Sequence, residues 1–263
     1  MVALALCDVT DLAAPSSHII AGIDLDMSRK KILLILHQAK SDPGRVGEVL
    51  RSLGFELDIR IPAIGHELPT DPTEHHGAVI FGGPMSANDD HEDYIRSETS
   101  YVERALAAEI PYLGICLGAQ IMARTLGGKV KRHPDGLMEI GYYKIEPTKA
   151  GAAYFDKHLH AYQWHKEGFD LPEGCQLLAG GDYFPNQAYR YGKYAYGIQF
   201  HPEVTEAMNR KWLHKASHML VEPGAQSAQD QLRCRQLYDM EMNDWTWRFL
   251  RHWTDLNKAG ETG

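Results

Sequence analysis

The chain has 263 residues, of which 44% are hydrophobic, and its 27 Lys and Arg stand against 35 Asp and Glu for a formal net charge of -8. That length and apolar fraction are ample for one large buried core, with or without a small extension. The acidic balance, with no basic cluster interleaved with aromatics beyond short runs such as Arg29-Lys30-Lys31, argues against a nucleic-acid partner.

The first ten residues, MVALALCDVT, are apolar but lack a basic segment and are too short for the apolar core of a secretory signal. Leu6, not a small residue, precedes Cys7, which argues against a lipoprotein signal. Cys7, Cys116, Cys175 and Cys234 are too widely spaced to form a disulfide framework. The expectation is a cytoplasmic protein with no membrane partner. Residues 1–28 precede the first strand and are expected to form a loosely ordered N-terminal extension, with Met27-Ser28-Arg29-Lys30 resembling an alternative start.

Strands and helices then alternate as a parallel sheet requires. The run KKILLILHQ predicts a first strand, Gly44 to Leu53 a helix, FELDIRIP a second strand, Gly77 to Phe81 a third, and Asp93 to Ala108 a helix. Tyr112 to Ile115 reads as a short buried strand, and the apolar spacing of Leu117, Ile121, Met122 and Leu126 predicts a helix directly after it. GGKVKRHP and LMEIGYYKIEP read as antiparallel additions, and Tyr194 to Phe200 as a return to the sheet. Thr205 is placed to cap the next helix, with Glu206 in its first turn. LRCRQLYDMEMNDWTWRFLRHW predicts one helix whose Leu237, Met240, Trp247, Leu250 and Trp253 are available to pack.

Cys116 falls on the turn between strand and helix, with Gly114 and Gly118 on either side. A residue on such a turn has its side chain pushed outward and its backbone crowded, so neighbours without Cβ are needed, as in a nucleophile elbow. The helix behind it offers unpaired N–H groups and the positive end of its dipole, which favour a thiolate. A thiolate nucleophile needs a base. Among 14 histidines, His201 stands out because the aromatic-rich strand YAYGIQF runs into His201-Pro202-Glu203. Pro202 biases His201 away from helix, and side chains at i and i+2 of an extended segment share a side, so Glu203 can orient the ring. Attack on a carbonyl also needs oxyanion donors. The strand GAVIF runs into Gly82-Gly83-Pro84, where backbone can approach a substrate closely, and the N–H groups of Gly83 and Leu117 are the proposed donors. No zinc-protease spacing links His158, His160 and His165, and no metal site is expected.

The segments G-I-C-L-G-A-Q, G-G-P-M-S and G-I-Q-F-H-P-E, in this order, resemble the three signature motifs of the class I glutamine amidotransferase family. The likeness covers roughly residues 31–221. It implies a flavodoxin-like α/β fold, a mostly parallel sheet flanked by helices, with a few antiparallel strands added after the nucleophile helix. An amidotransferase-like domain is expected over residues 29–223, followed by a helical extension over 224–263, read from its own sequence, packing on it. By resemblance Cys116 is the nucleophile, His201 the proton shuttle, Glu203 its orienter, and Gly83 and Leu117 the oxyanion hole. Gln120, Gly82 and His165 are then expected to contact the substrate. The implied chemistry is hydrolysis of the glutamine side-chain amide through a γ-glutamyl thioester, with no cofactor.

The arrangement looks most similar to the amidotransferase part of GMP synthase, although Trp164-His165-Lys166-Glu167 stands where those enzymes tend to have Ser-His-x-Asp. No S-G-G-x-D-S-type loop for ATP chemistry is present, so a separate synthetase or acceptor subunit is the expected partner. The alternatives are a γ-glutamyl peptide or amide hydrolase, with water as acceptor, and a non-catalytic regulatory or binding subunit.

Overall fold

The structure, a computed structural model, describes residues 31–256. The expectations for residues 1–28, including Cys7, therefore lie outside the described residues. In chain order the elements are β1 (Lys31–Ile35), α1 (Gly44–Ser52), β2 (Glu56–Arg60), β3 (Gly77–Ile80), α2 (Asp93–Ala107), β4 (Tyr112–Ile115), α3 (Leu117–Thr125), β5 (Val130–Arg132) and β6 (Glu139–Pro147). They continue as β7 (Leu159–His165), β8 (Glu167–Phe169), β9 (Cys175–Gly181), β10 (Ala188–Tyr191), β11 (Ala195–Ile198), α4 (Glu206–Lys215) and α5 (Ala228–Asp255).

One sheet of nine strands has the order β2-β1-β3-β4-β11-β10-β9-β6-β7. The pairings from β2 through β11 are parallel, and those from β11 through β7 are antiparallel. This is an α/β fold with a mixed sheet flanked by helices. The two segments expected as antiparallel additions part company. β6 joins the large sheet, whereas β5 pairs with β8 in a separate ribbon of two strands.

In the parallel half alternate residues serve opposite faces, as the pleat dictates. Ile32 and Leu34 of β1 enter one core with Val46, Val49 and Leu50 of α1 and Trp245, Phe249 and Trp253 of α5. Leu33 and Ile35 enter the other with Ile95, Tyr101 and Val102 of α2 and Ile121 and Met122 of α3. Both faces being covered explains why these strands read as unbroken apolar runs.

The last helix corrects one expectation. Leu237 and Met240 are 67% and 79% exposed and do not pack, while Met242, Trp245, Phe249, Leu250 and Trp253 form the buried stripe. Over a helix of 28 residues only one stripe at helical period can face the sheet, and Leu237 and Met240 lie off it. Trp253 is fully buried, with its ring edge 3.0 Å from where a Cβ on Gly77 would stand. Trp253→Ala is expected to destabilise the protein by about 3–5 kcal/mol, a loss that urea titration of the variant against the parent would read directly.

Candidate active site

Four of the parallel strands end at the same rim, and the chain leaving each one contributes to it: His37 after β1, Gly82 and Gly83 after β3, Cys116 after β4, His201 after β11. Sites in open α/β sheets form beyond the carboxyl ends of the strands.

Cys116 has φ 50 and ψ -102, a left-handed conformation that a non-glycine residue adopts only under strain of about 1–3 kcal/mol. Its surroundings enforce it. The Cys116 N–H donates to the Ile198 carbonyl at the end of β11 (2.8 Å), and its own carbonyl accepts the first helical bond from Gln120 (3.0 Å). The flanking glycines answer to close approach. A Cβ on Gly114 would stand 2.5 Å from the Gly118 backbone, and one on Gly118 would stand 2.2 Å from the Ile80 carbonyl oxygen of β3. α3 is thus pressed onto the sheet, and its first N–H groups, which have no partner within the helix, open at the thiol. Leu117 supplies the first of them.

His201 and Glu203 do meet, although not by alternation along a strand. β11 ends at Ile198, Pro202 and Glu203 form a turn, and His201 Nδ1 lies 2.7 Å from Glu203 Oε1. The turn is clasped from behind. The Glu203 carbonyl accepts from the Arg45 N–H at the start of α1 (2.9 Å), and a Cβ on Gly44 would overlap that oxygen at 2.1 Å. Arg45 also donates to the Pro202 carbonyl (3.3 Å) and Arg235 of α5 to the Val204 carbonyl (3.2 Å), while both guanidinium groups pair with Asp239. Nothing in the sequence marked these residues, because Arg45 is more than 150 positions from its partners and Arg235 is 31 from Val204.

Imidazole and thiol are adjacent. A Cβ on Gly82 would stand 2.6 Å from His201 Cε1 and 3.4 Å from Cys116 Cβ, so Gly82 borders both. His201 Nε2 is buried without a conventional hydrogen-bond partner, and Trp212 packs edge-on against the ring at 5.2 Å. Burial of the ring acts to lower its pKa. The Glu203 carboxylate and the Cys116 sulfur outweigh that and raise it to about 10. By contrast, burial alone pushes the Cys175 thiol up to about 11, which leaves it inert near neutrality.

The sign of this shift makes a prediction. A histidine pKa raised from 6.5 contributes stability that is fully present below 6.5 and is lost as pH rises through about 10. An NMR titration of the His201 imidazole is expected to give a midpoint near 10, and Cys116→Ala, which removes one raising group, is expected to shift it downward.

The remaining candidates sit around one cleft of about 410 Å³ whose lining includes Gly82, Gly83, Cys116, Gln120, His201 and Glu203. Gln120 spends its amide hydrogens inside the protein, donating to the Glu167 carbonyl (2.8 Å) and to Gln199 Oε1 (3.3 Å). His165 also borders the cleft, but its imidazole is buried and both nitrogens are engaged, Nε2 with Glu139 (2.9 Å) and Nδ1 with the Glu167 carbonyl (3.0 Å). Its ring braces the β7–β8 turn and has no nitrogen left for a ligand. Ser86, in the loop after β3, donates to Glu167 Oε2 (2.8 Å) and ties that loop to the same turn.

Among the described residues, no cluster of three His, Cys, Asp or Glu could hold a metal ion, and no helix is long and apolar enough to cross a membrane.

A parallel core presenting a thiol on a strained elbow, with a carboxylate-bound imidazole beside it, defines the class of α/β proteins built around a cysteine elbow. The sequence comparisons narrow the class. The sequence model of the family described as "Glutamine amidotransferase class-I" matches residues 46–219, and the chain belongs to that family. A glutamine amidotransferase-like protein of Salmonella typhimurium, YfeJ, is 29% identical over 230 residues, which make up 84% of this chain and 95% of that protein. A glutamine-hydrolyzing GMP synthase of Porphyromonas gingivalis is 33% identical over 144 residues, 53% of this chain but only 27% of the synthase. The crystal structure of a glutamine amido transferase from Methylobacillus flagellatus superposes with a TM-score of 0.82 at 26% identity, covering 87% of this chain and 96% of that one.

Proposed function

We propose that the protein hydrolyses the side-chain amide of glutamine at Cys116 and releases ammonia for an acceptor bound by a separate subunit. The observation that carries this reading is the buried imidazole of His201, held by Glu203 at 2.7 Å with its second nitrogen left for the neighbouring thiol. That is the nucleophile, base and orienter arrangement acyl transfer requires.

The Cys116 thiolate attacks the side-chain carbonyl carbon of glutamine, forming a C–S bond and moving the carbonyl electron pair onto oxygen. The N–H groups of Gly83 and Leu117 receive that oxyanion. Imidazolium His201, whose raised pKa keeps it protonated at neutral pH, delivers its proton to the departing nitrogen. The C–N bond breaks, ammonia leaves and the thioester remains. Neutral His201 then takes a proton from water as the water attacks, and collapse of the second adduct returns thiolate, imidazolium and glutamate. Gln120 supports the site by holding the Glu167 backbone in place, and Gly82 by leaving room between ring and thiol.

The test is glutamate release from L-glutamine by the purified protein, with Cys116→Ala as the blank. Cysteine-dependent release supports the reading, and its absence refutes autonomous glutaminase activity. One feature favours a second reading, hydrolysis of γ-glutamyl peptides or amides. The lining of the cleft also includes Trp164, Trp212, Lys40, Lys211 and Lys215, and its volume suits a drug-sized ligand larger than free glutamine. Rates on γ-glutamyl dipeptides far above those on glutamine would select it.

A further inference from the structure

Directly behind the site lies a buried histidine–carboxylate pair with no place in the chemistry just described. His37, two residues past β1, and Glu98, in α2, have fully buried side chains. His37 Nε2 is 2.8 Å from Glu98 Oε2, and its Nδ1 is 3.1 Å from the Gly82 carbonyl oxygen. The Gly82 carbonyl can only accept, so Nδ1 carries a proton, and the Glu98 carboxyl group on Nε2 favours the imidazolium form. Burial opposes that charge, but Glu98 outweighs burial and the His37 pKa lies above its ordinary value. Such a pair is costly to bury and a poor source of stability compared with apolar packing. Its position suggests what it is for.

The carbonyl that His37 holds belongs to the peptide joining Gly82 to Gly83. In a trans peptide the C=O and the N–H point in opposite directions, and none of the described peptides is cis. Fixing the Gly82 carbonyl on His37 therefore points the Gly83 N–H away from His37. Gly82 on that peptide borders Cys116 and His201. Two successive glycines have almost no intrinsic preference for one peptide orientation over its flip, so the orientation must be imposed from outside. His37 does so twice. It donates to the carbonyl, and its Cβ and Cγ lie 2.9 Å from where a Cβ on Gly83 would stand, which packs the imidazole against that residue. Upstream the strand is pinned by the Phe81 N–H on the Ile35 carbonyl (3.0 Å), and downstream by Ser86 on Glu167. A charged donor on the carbonyl also polarises the peptide and strengthens its N–H as a donor.

We infer that His37, held by Glu98, is a positioning residue that aims the Gly83 N–H at the oxyanion formed on the substrate. The inference rests on the acyl-transfer reading above. His37 touches neither thiol nor substrate, and acts only through the Gly82–Gly83 peptide.

Two substitutions divide the roles of the ring. In His37→Asn the amide nitrogen can stand where Nδ1 stands, keeping the donor to Gly82 and abandoning Glu98. In His37→Gln it can reach the place of Nε2, keeping Glu98 and abandoning Gly82. The positioning role predicts that His37→Gln loses about 10²-fold in kcat for glutamate release, with KM for glutamine little changed, while His37→Asn keeps most of its kcat. Iodoacetamide alkylation of Cys116 passes through no oxyanion, and its rate is expected to be alike in both variants and wild type. A purely structural role for the pair predicts the reverse order, with His37→Asn the worse for leaving Glu98 buried and unpaired. A His37→Gln variant of wild-type kcat, or alkylation that falls as far as kcat, would overturn the inference. Crystal structures of the two variants decide it without turnover: the Gly82–Gly83 peptide should be rotated in His37→Gln and native in His37→Asn, and an unmoved peptide in His37→Gln refutes the role. Absence of glutamate release by the wild type strikes the glutaminase reading instead, and leaves the crystallographic result to judge His37.

Discussion

Cys116→Ala is expected to reduce glutamate release to the level of buffer while leaving the fold intact. The sulfur forms the only covalent bond to substrate in the proposed cycle, so neither the imidazole nor the oxyanion donors can substitute for it. The side chain is small and 6% exposed, so its removal costs little packing, although it takes the sulfur from beside the buried His201 Nε2. No gain in stability is expected, because the sulfur that helps hold the His201 imidazolium is lost and the alanine must still adopt φ near 50. Cys116→Ser is expected to be nearly as inactive, since an alkoxide is far harder to form than a thiolate. Steady-state release assays, with circular dichroism and thermal melts of the same preparations, check both halves. Residual turnover in either variant near that of the wild type would show that Cys116 is not the nucleophile.

Gly82→Ala is expected to lose about 10²-fold or more in kcat without replacing any group assigned a role in the proposed chemistry. The added methyl would stand 2.6 Å from His201 Cε1 and 3.4 Å from Cys116 Cβ. The first distance is well inside van der Waals contact, so something must move. The imidazole cannot retreat freely, being held by Glu203 at 2.7 Å on one edge and packed against Trp212. Displacement by several tenths of an ångström therefore falls on the His201–Cys116 approach or on the loop that carries the Gly83 N–H. Alkylation by iodoacetamide separates the two. A slowed alkylation locates the damage in the ion pair, and an unchanged rate with lost kcat locates it in the oxyanion loop. Wild-type kcat in Gly82→Ala would show that the site is looser than these distances state.

The parallel strands and the helices between them were legible because each carries a local signal: an apolar run buried on both faces, or apolar residues at helical spacing. β4 was predicted as Tyr112 to Ile115 and is found there, and Thr205 caps α4 as expected, its hydroxyl accepting from the Met208 N–H at 3.4 Å. β7, β9 and β10 carried no comparable signal. β7 and β10 mix polar and aromatic residues, β9 ends in a Gly-Gly pair, and all three take their pairing from antiparallel neighbours. For the same reason Leu237 and Met240 could not be told from their buried neighbours in α5, since which stripe of a helix is buried depends on the surface it meets.

Within the site, local sequence set the kinds and order of the candidate groups: a cysteine on an elbow flanked by glycines, a Gly-Gly loop after a strand, and a histidine two residues before a glutamate. Each is a local pattern, set by what the backbone at that point will tolerate. The tertiary structure alone decided how those groups are held. The turn of His201 and Glu203 is clasped by Arg45 and Arg235 through Asp239, His165 is withdrawn into a bond with Glu139, and the Gly82 carbonyl is fastened by His37 and Glu98. Apart from the Arg235–Asp239 pair, which are four positions apart, these are contacts between residues 26 to 194 positions apart. A buried charge is stable only beside its partner, and no local pattern records which partner the fold will bring.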